Sequence, residues 1–358
     1  TAASTAPEAA SLVAGAEALR LSGVTALDLR VDREGALLVY ATQGEVLAAR
    51  LDRSGARVGD AQRVASSDGR VRALVAGAAA GRVAVAWLRT EGGSARVERA
   101  LGAGRPTVFG RPTELESWPT TEAEASAQIG AQDLALRVTP TGDFRLLHRA
   151  TPMTCESSAR CATFRHSGLG DDPSERRGSA SLAATEVCPW ALPGFVEASG
   201  RMYYGLCVLE SGDPRTTLYL LQPEPQYAQA EPALEGCRPL GALTAPDPLG
   251  GEGEAALFAA DCPDGRVAVS LGAPGGSVRP AGPVLSPVCT STGPALRVGS
   301  VSIPLPAPRD RLEGFLHEGL APAGSHVVWT GDEFLVAELV GSELSVRRWS
   351  CEAAAAMP

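Results

Sequence analysis

The chain has 358 residues, of which 44% are hydrophobic and 20% charged, and it carries a net charge of −9 at neutral pH. That composition excludes intrinsic disorder, and an acidic balance without clustered cations disfavours nucleic acid and anionic membrane surfaces as partners. Lysine and asparagine are absent, so Schiff-base lysine chemistry and N-glycosylation are excluded as well.

No apolar stretch is long enough to cross a bilayer as a helix, and no basic-then-apolar leader opens the chain. Residues 1–16, rich in Ala, Ser and Thr, read as a flexible tether. It is of the kind that follows a cleaved or lipid-anchored N-terminus, so the expectation is a targeting segment upstream of residue 1. Residues 17–351 then carry a repeating grammar, and 352–358 read as a tail.

Residues 24–67 contain four short runs rich in Val, Leu and Ala, each closed by a Gly or by the Asp52-Arg53-Ser54-Gly55 turn. That is four strands joined by tight turns. The next stretch repeats it: aligned on the first turn, Gly35 matches Gly81, Tyr40 falls near Trp87, and Gly44 near Gly92. The period is roughly 45 residues, the length of a four-stranded propeller blade. A third unit spans DLALRVTPTG to RRGSASLAA, and a fourth runs from PWALPGFVEASG to about residue 235. A fifth opens at EAALFAADCPDG and holds a long loop around SPVCTSTGPALRVGS. The last unit, SHVVWTGD to ELSVRRWSC, lacks a fourth strand.

The missing strand predicts a closure. The N-terminal run EALRLSG can pair beside the last unit and remove the exposed edges that such a ring must not leave. The expected fold is therefore all-β, a single β-propeller of six blades, with seven the alternative if residues 270–320 hide another.

All eight cysteines fall after residue 150, none in a CxxC pair or near a His at zinc-finger spacing. Disulfides are the better account, and they require an oxidising compartment. Local pairing predicts Cys188 with Cys207 and Cys155 with Cys161. That leaves Cys237 with Cys262 and Cys289 with Cys351, although these last four admit other pairings. Cys351 would tie the C-terminus to a neighbouring blade.

The units LLVYATQGEVLAARLDRSGARVG, AVAWLRTEGGSARVERAL and HVVWTGDEFLVAELVGSELSVRRW resemble repeats common in secreted proteins of myxobacteria and related bacteria. Trp329, Gly331, Phe334, Leu335 and Val336 match the first part of that repeat, and Ala49, Arg50, Asp52 and Gly55 the second. The resemblance implies a β-propeller in an exported, often lipid-anchored protein. The group is functionally mixed, so no catalytic residue is carried over.

Candidate chemistry is sparse. The Ser66–Ala73 segment has the Ser, Asp and Gly of a sialidase-type turn with the wrong spacing and no Trp, and Asp52–Gly59 reads as a hairpin turn. The pairs Glu114/Glu116, Glu122/Glu124 and Glu252/Glu254 would share a face if they lay on strands, as a glycoside hydrolase requires, and Asp171/Asp172 are adjacent. The loop HSGLGDDPSE places His166, Asp171 and Asp172 together without calcium-loop spacing, so no metal site is assigned. Trp118 and Trp190 sit beside prolines at blade entries, where an exposed indole could stack on a sugar or a partner, although packing in a core is the better account. No catalytic residue and no cofactor is assigned. The favoured function is a non-enzymatic binding module, secreted, periplasmic or on the outer cell surface, that engages an unknown protein or glycan of the cell envelope. A polysaccharide-cleaving propeller and a structural component of an envelope assembly are the alternatives.

Overall fold

The computed structural model describes residues 10–32, 35–79, 81–104, 106–130, 133–138, 142–154, 160–169, 181–184, 194–198, 201–210, 213–221, 227–246, 254–271, 278–283, 285–290, 293–298, 301–304, 326–331 and 333–353. The described residues are all-β apart from one short helix. Strand β1 (Ala10–Ser22) is followed by a four-stranded sheet, β2 (Ala26–Asp32), β3 (Gly35–Ala41), β4 (Glu45–Leu51) and β5 (Arg57–Ser66), paired in chain order. The second sheet holds β6 (Arg70–Ala79), β7 (Arg82–Glu91) and β8 (Ser94–Ala103). Both β9 (Val108–Phe109) and β10 (Thr113–Pro119) pair with β8. Helix α1 (Glu122–Gln128) leads into the third sheet, β11 (Leu134–Val138), β12 (Phe144–Thr154), β13 (Arg160–Gly168) and β14 (Ser181–Ala184).

The fourth sheet is β15 (Gly194–Ala198), β16 (Arg201–Glu210), β17 (Asp213–Leu221) and β18 (Tyr227–Glu235). The fifth is β19 (Arg238–Pro246), β20 (Glu254–Cys262), β21 (Gly265–Leu271) and β22 (Val278–Pro283). A three-stranded sheet follows, β23 (Leu285–Thr290), β24 (Gly293–Val298) and β25 (Val301–Pro304). The last sheet joins β26 (His326–Trp329), β27 (Phe334–Val340) and β28 (Glu343–Ala353) to β1, in the order β1-β28-β27-β26.

The first strands of successive sheets pack on one another: β26 on β2, β2 on β6, β6 on β11, β11 on β15, and β15 on β19. The apolar cores explain why. A strand's side chains alternate between its two faces, and here each face meets a different neighbouring sheet. On β3, Leu37, Val39 and Ala41 join Val71, Leu74, Val83, Val85 and Trp87 of the second sheet. The alternate residues Ala36, Leu38 and Tyr40 join Val328, Leu335, Leu344 and Val346 of the last. On β7 the split repeats, with Val83, Val85 and Trp87 facing the first sheet and Ala84, Ala86 and Leu88 the third. Burial on both faces is why these strands read as unbroken apolar runs rather than as polar–apolar alternation. The architecture is that of a propeller-like stack of sheets around their first strands.

Six units were expected, with seven the alternative if residues 270–320 held another, and the described strands form seven sheets. The segment read as a fifth unit contains two of them: β19 precedes it, and β23–β25 occupy the stretch read as its long loop. Pro239, Gly241 and Pro246 in β19, and Pro287 and Pro294 in β23 and β24, interrupt the apolar pattern that the reading relied on. Each sits in a paired strand nonetheless, because the neighbouring residues still complete the ladder. The tether expectation also changes, because β1 begins at Ala10 and its residues Ala10–Ala14 pair with Ala353–Trp349.

The Asp52 turn forms as its residues dictate. The Asp52 carboxylate accepts from the Ser54 amide at 2.8 Å, the Ser54 hydroxyl at 2.6 Å and the Ala56 amide at 3.0 Å, and Gly55 adopts φ 82°. The Ser54 hydroxyl, then the two amides, hold the Asp52 carboxyl below its ordinary value. At Gly77 the demand is space rather than φ: a Cβ there would lie 2.3 Å from Leu136 Cδ2 and 2.9 Å from Val138 Cγ2, across the contact between the second and third sheets.

Two disulfides join described residues. Cys237–Cys262 ties the start of β19 to the end of β20 with Cα atoms 4.2 Å apart, and Cys289–Cys351 ties β23 to β28 at 5.6 Å. Both are the pairs left after local pairing in the sequence. Cys207 on β16 is buried and disulfide-bonded. Cys188, its expected partner, lies outside the described residues, as does Cys155, and Cys161 is placed only by its backbone pairing with Met153. Among the described residues, no helix is long and apolar enough to cross a membrane.

Candidate functional site

The polar groups that the fold buries mark the places where sheets are fastened together. One of them among the described residues is Asp28, 1% exposed, in the middle of the apolar run of β2. Leu27, Leu29 and Val31 turn toward the last sheet, which puts Asp28 on the opposite face of the strand. There the Ala76 amide of β6 donates to its Oδ2 at 2.7 Å. Arg30 Nε donates to the same carboxylate at 2.8 and 3.0 Å, and His326 Nδ1 of β26 lies 3.3 Å from Oδ1. One carboxylate thus joins the first strands of the last, first and second sheets. Burial by itself would raise its pKa, but the Arg30 charge and the His326 contact more than offset that and hold it at about 2. A buried carboxylate held ionised by fixed donors is an anchor, not a proton donor.

A second buried acid, Asp133, stands just before β11. It accepts from the Gly130 amide at 2.8 Å, and both its oxygens lie 3.4 Å from Arg149 Nη1 of β12. Burial pushes its carboxyl up, with Arg149 opposing. Further contacts join the second sheet to its neighbours: Arg82 Nη2 donates to the Gly142 carbonyl at 3.1 Å, and Arg165 Nη1 of β13 to Glu116 of β10 at 2.6 Å. Within the second sheet the Trp87 indole N–H and Arg89 Nε both donate to Glu98 Oε2 at 2.8 Å.

These contacts account for the acid pairs singled out in the sequence. Glu114 and Glu116 lie on β10, but a bulge between them breaks the strict alternation, and they face Arg96 and Arg165 respectively. Glu122 and Glu124 lie on α1 rather than on a strand. Glu124 closes a capping box with Thr121, a favourable helix start, and Glu122 pairs with Arg72 of β6. The Arg72 hydrogen bond draws the Glu122 carboxyl below its ordinary value. Glu254 opens β20, and Glu252 lies outside the described residues. The described pairs therefore serve as sheet and helix fasteners, not as two acids aimed at one bond.

The indole proposed for stacking is likewise part of a core. Trp118, 4% exposed, packs with Leu88, Val97, Ala125 and Ile129, because α1 folds over it. An aromatic stacking platform needs an open face, and Trp118 has none. His166 is placed on β13, where its backbone pairs with Leu147. Asp171, Asp172 and Trp190 lie outside the described residues. Among the described residues no group of His, Cys, Asp and Glu is arranged to hold a metal ion.

Sequence reading passed over Asp28 and Asp133. A signal was available for Asp28: a lone acid inside the strand run Ala26-Leu27-Asp28-Leu29-Arg30-Val31, where burial on both faces demands a partner.

No protein-family model and no curated protein matches the chain. Solved structures resemble it weakly. A neuraminidase-like protein of A/little yellow-shouldered bat/Guatemala aligns over 95% of this chain and 98% of its own, at 10% identity and a TM-score of 0.40. A prolyl endopeptidase aligns over 98% of this chain at 10% identity and a TM-score of 0.39, and the chain spans only 51% of that protein's length. A bifunctional GH43-CE protein of Bacteroides eggerthii aligns over 84% of this chain and 37% of its own, at 10% identity and a TM-score of 0.37. At these scores the similarities assign neither family nor activity.

Proposed function

We propose that the chain is a binding module of the cell envelope: a rigid seven-bladed ring, closed by β1 on β28, that presents its loops to a protein or glycan partner. The observation that carries this reading is the Asp28 junction, where one buried carboxylate joins three sheets and includes both the first and the last. A scaffold fastened in this way holds its loops in fixed relative positions, so that little ordering entropy is lost on binding. The disulfides Cys237–Cys262 and Cys289–Cys351 favour an oxidising location, secreted, periplasmic or on the outer surface. The resemblance of the end repeats to exported repeat proteins favours the same placement.

We assign the contact surface to His166 of β13, to Asp171 and Asp172, which follow β13 in the sequence, and to Trp190, which precedes β15 in the sequence. Glycan-array screening and cross-linking on intact envelopes test it, with the triple variant His166→Ala, Asp171→Ala, Asp172→Ala and with Trp190→Ala. The expected result is a partner held by the parent chain and bound about tenfold or more weakly by the variants, at unchanged melting temperature. Variants that bind as the parent does would remove these residues from the surface. A parent chain that hydrolyses an arrayed glycan would replace the binding reading with an enzymatic one.

A further inference from the structure

We propose that the Cys289–Cys351 disulfide is a redox latch that controls the N-terminal half of β1, an inference that rests on the ring-closure reading above. Strand β1 is the outermost strand of the last sheet and pairs there with β28. Its register slips twice, between Ala14 and Glu17 and between Glu17 and Leu19, so the strand has two parts. The C-terminal part is anchored, because Leu19 and Leu21 pack against the core formed by the last and first sheets. The N-terminal part is not, since Val13–Glu17 are exposed. Backbone pairing with little apolar burial is marginal in water, so this half needs another tether.

The disulfide stands at that half. Cys351 on β28 pairs directly opposite Leu12 of β1, and β23, which carries Cys289, packs against β1. One bond therefore clamps β28 to β23 beside the exposed Val13 and Ala14 of β1. The other described disulfide has no such position. Cys237 and Cys262 flank the β19–β20 ladder next to the Arg238–Asp261 pair, inside one sheet.

Opening the latch is a thiol–disulfide exchange with a dithiol. A thiolate of the dithiol attacks the Cys351 sulfur, on the more exposed cysteine of the two (Cys289 is 3% exposed), and the Cys289 sulfur leaves as thiolate. The second thiol of the reductant then displaces Cys351 from the mixed disulfide. The dithiol gives up two electrons and two protons and ends as a disulfide, while the two cysteines end as thiols. Ala10–Ala14 then part from Trp349–Ala353, whose edge is left without its partner strand, while Leu19–Ser22 stay in place.

The test is amide hydrogen exchange on the intact chain, oxidised and after native-state treatment with dithiothreitol, with mass confirming which bond is reduced. The double variants Cys289→Ser/Cys351→Ser and Cys237→Ser/Cys262→Ser are run beside it. The latch predicts that exchange at Leu12–Ala14 rises about tenfold or more on reduction and in the first variant. Leu19–Ser22 should change less than about threefold, and the second variant should match the oxidised parent over β1. Unchanged exchange at Leu12–Ala14 after reduction, a bond that resists dithiothreitol in the folded chain, or loss of protection throughout the molecule at once would each overturn the latch. Fast exchange across all of β1 in the oxidised chain would instead overturn the ring closure, and the latch with it.

Discussion

Replacing Asp28 with Asn tests whether the buried carboxylate fastens the sheets together. Asparagine keeps the shape and one carbonyl acceptor, but it loses the charge and turns a donor amide toward Arg30 Nε or the Ala76 amide, which now donate to Oδ1 and Oδ2. The charge part follows from linkage. The carboxyl lies at about 2 in the folded chain against an ordinary value of 3.8. At 1.36 kcal/mol per unit, ionisation therefore contributes about 2 kcal/mol of stability at neutral pH. A lowered folded pKa means this contribution is complete above pH 3.8 and is lost as pH falls through 2. Arg30, 14% exposed, would also be left facing a neutral partner, so the full cost at pH 7 should reach about 3–5 kcal/mol. Urea unfolding of parent and variant at pH 7, 5, 3 and 2, with disulfides intact, measures it. The gap between them should shrink by about 2 kcal/mol as pH falls from 5 toward 2. A gap under about 0.5 kcal/mol at pH 7, or one that does not shrink in acid, would refute the anchoring role.

Three further substitutions probe the packing of the second sheet and the helix that follows it. Gly77→Ala should cost about 1–3 kcal/mol in denaturant unfolding, because its Cβ would collide with Leu136 and Val138; a neutral result would mean the second and third sheets can slide apart. Trp87→Phe should cost about 2–3 kcal/mol by losing the indole donor to Glu98 in a site that is fully buried, and a double-mutant cycle with Glu98→Gln should show coupling between the two. Thr121→Ala should cost about 1 kcal/mol by removing the cap of α1, with Thr121→Ser close to neutral; equal losses in both would point to packing instead of capping.

Much of the strand order was legible because it is written locally. Continuous apolar runs mark β3 and β7, since a strand covered on both faces has little room for polar residues, and Gly or Asp-Arg-Ser-Gly turns bound the strands beside them. The strands β19 and β23–β25 were not legible. Their prolines and glycines imitate loop composition, and only pairing with a neighbouring strand shows that the remaining amides are used. The helix that carries Glu122 and Glu124 was not legible for a related reason: seven residues have too little period to be told from a strand.

The sequence by itself determined an all-β chain of repeated short strands, with an N-terminal run available to complete a last unit that lacks one. Apolar periodicity and turn chemistry act over a few residues, and those features need nothing more. Only the tertiary structure decided which polar residues matter. Asp28 meets Ala76 and His326 across sequence separations that no local pattern encodes, and Cys351 finds Cys289 only once β28 and β23 are side by side. Trp118 was open to either role in the sequence, and it became core because α1 folds over it. A buried charge is tolerated only where its partners converge, and that convergence belongs to the assembled sheets.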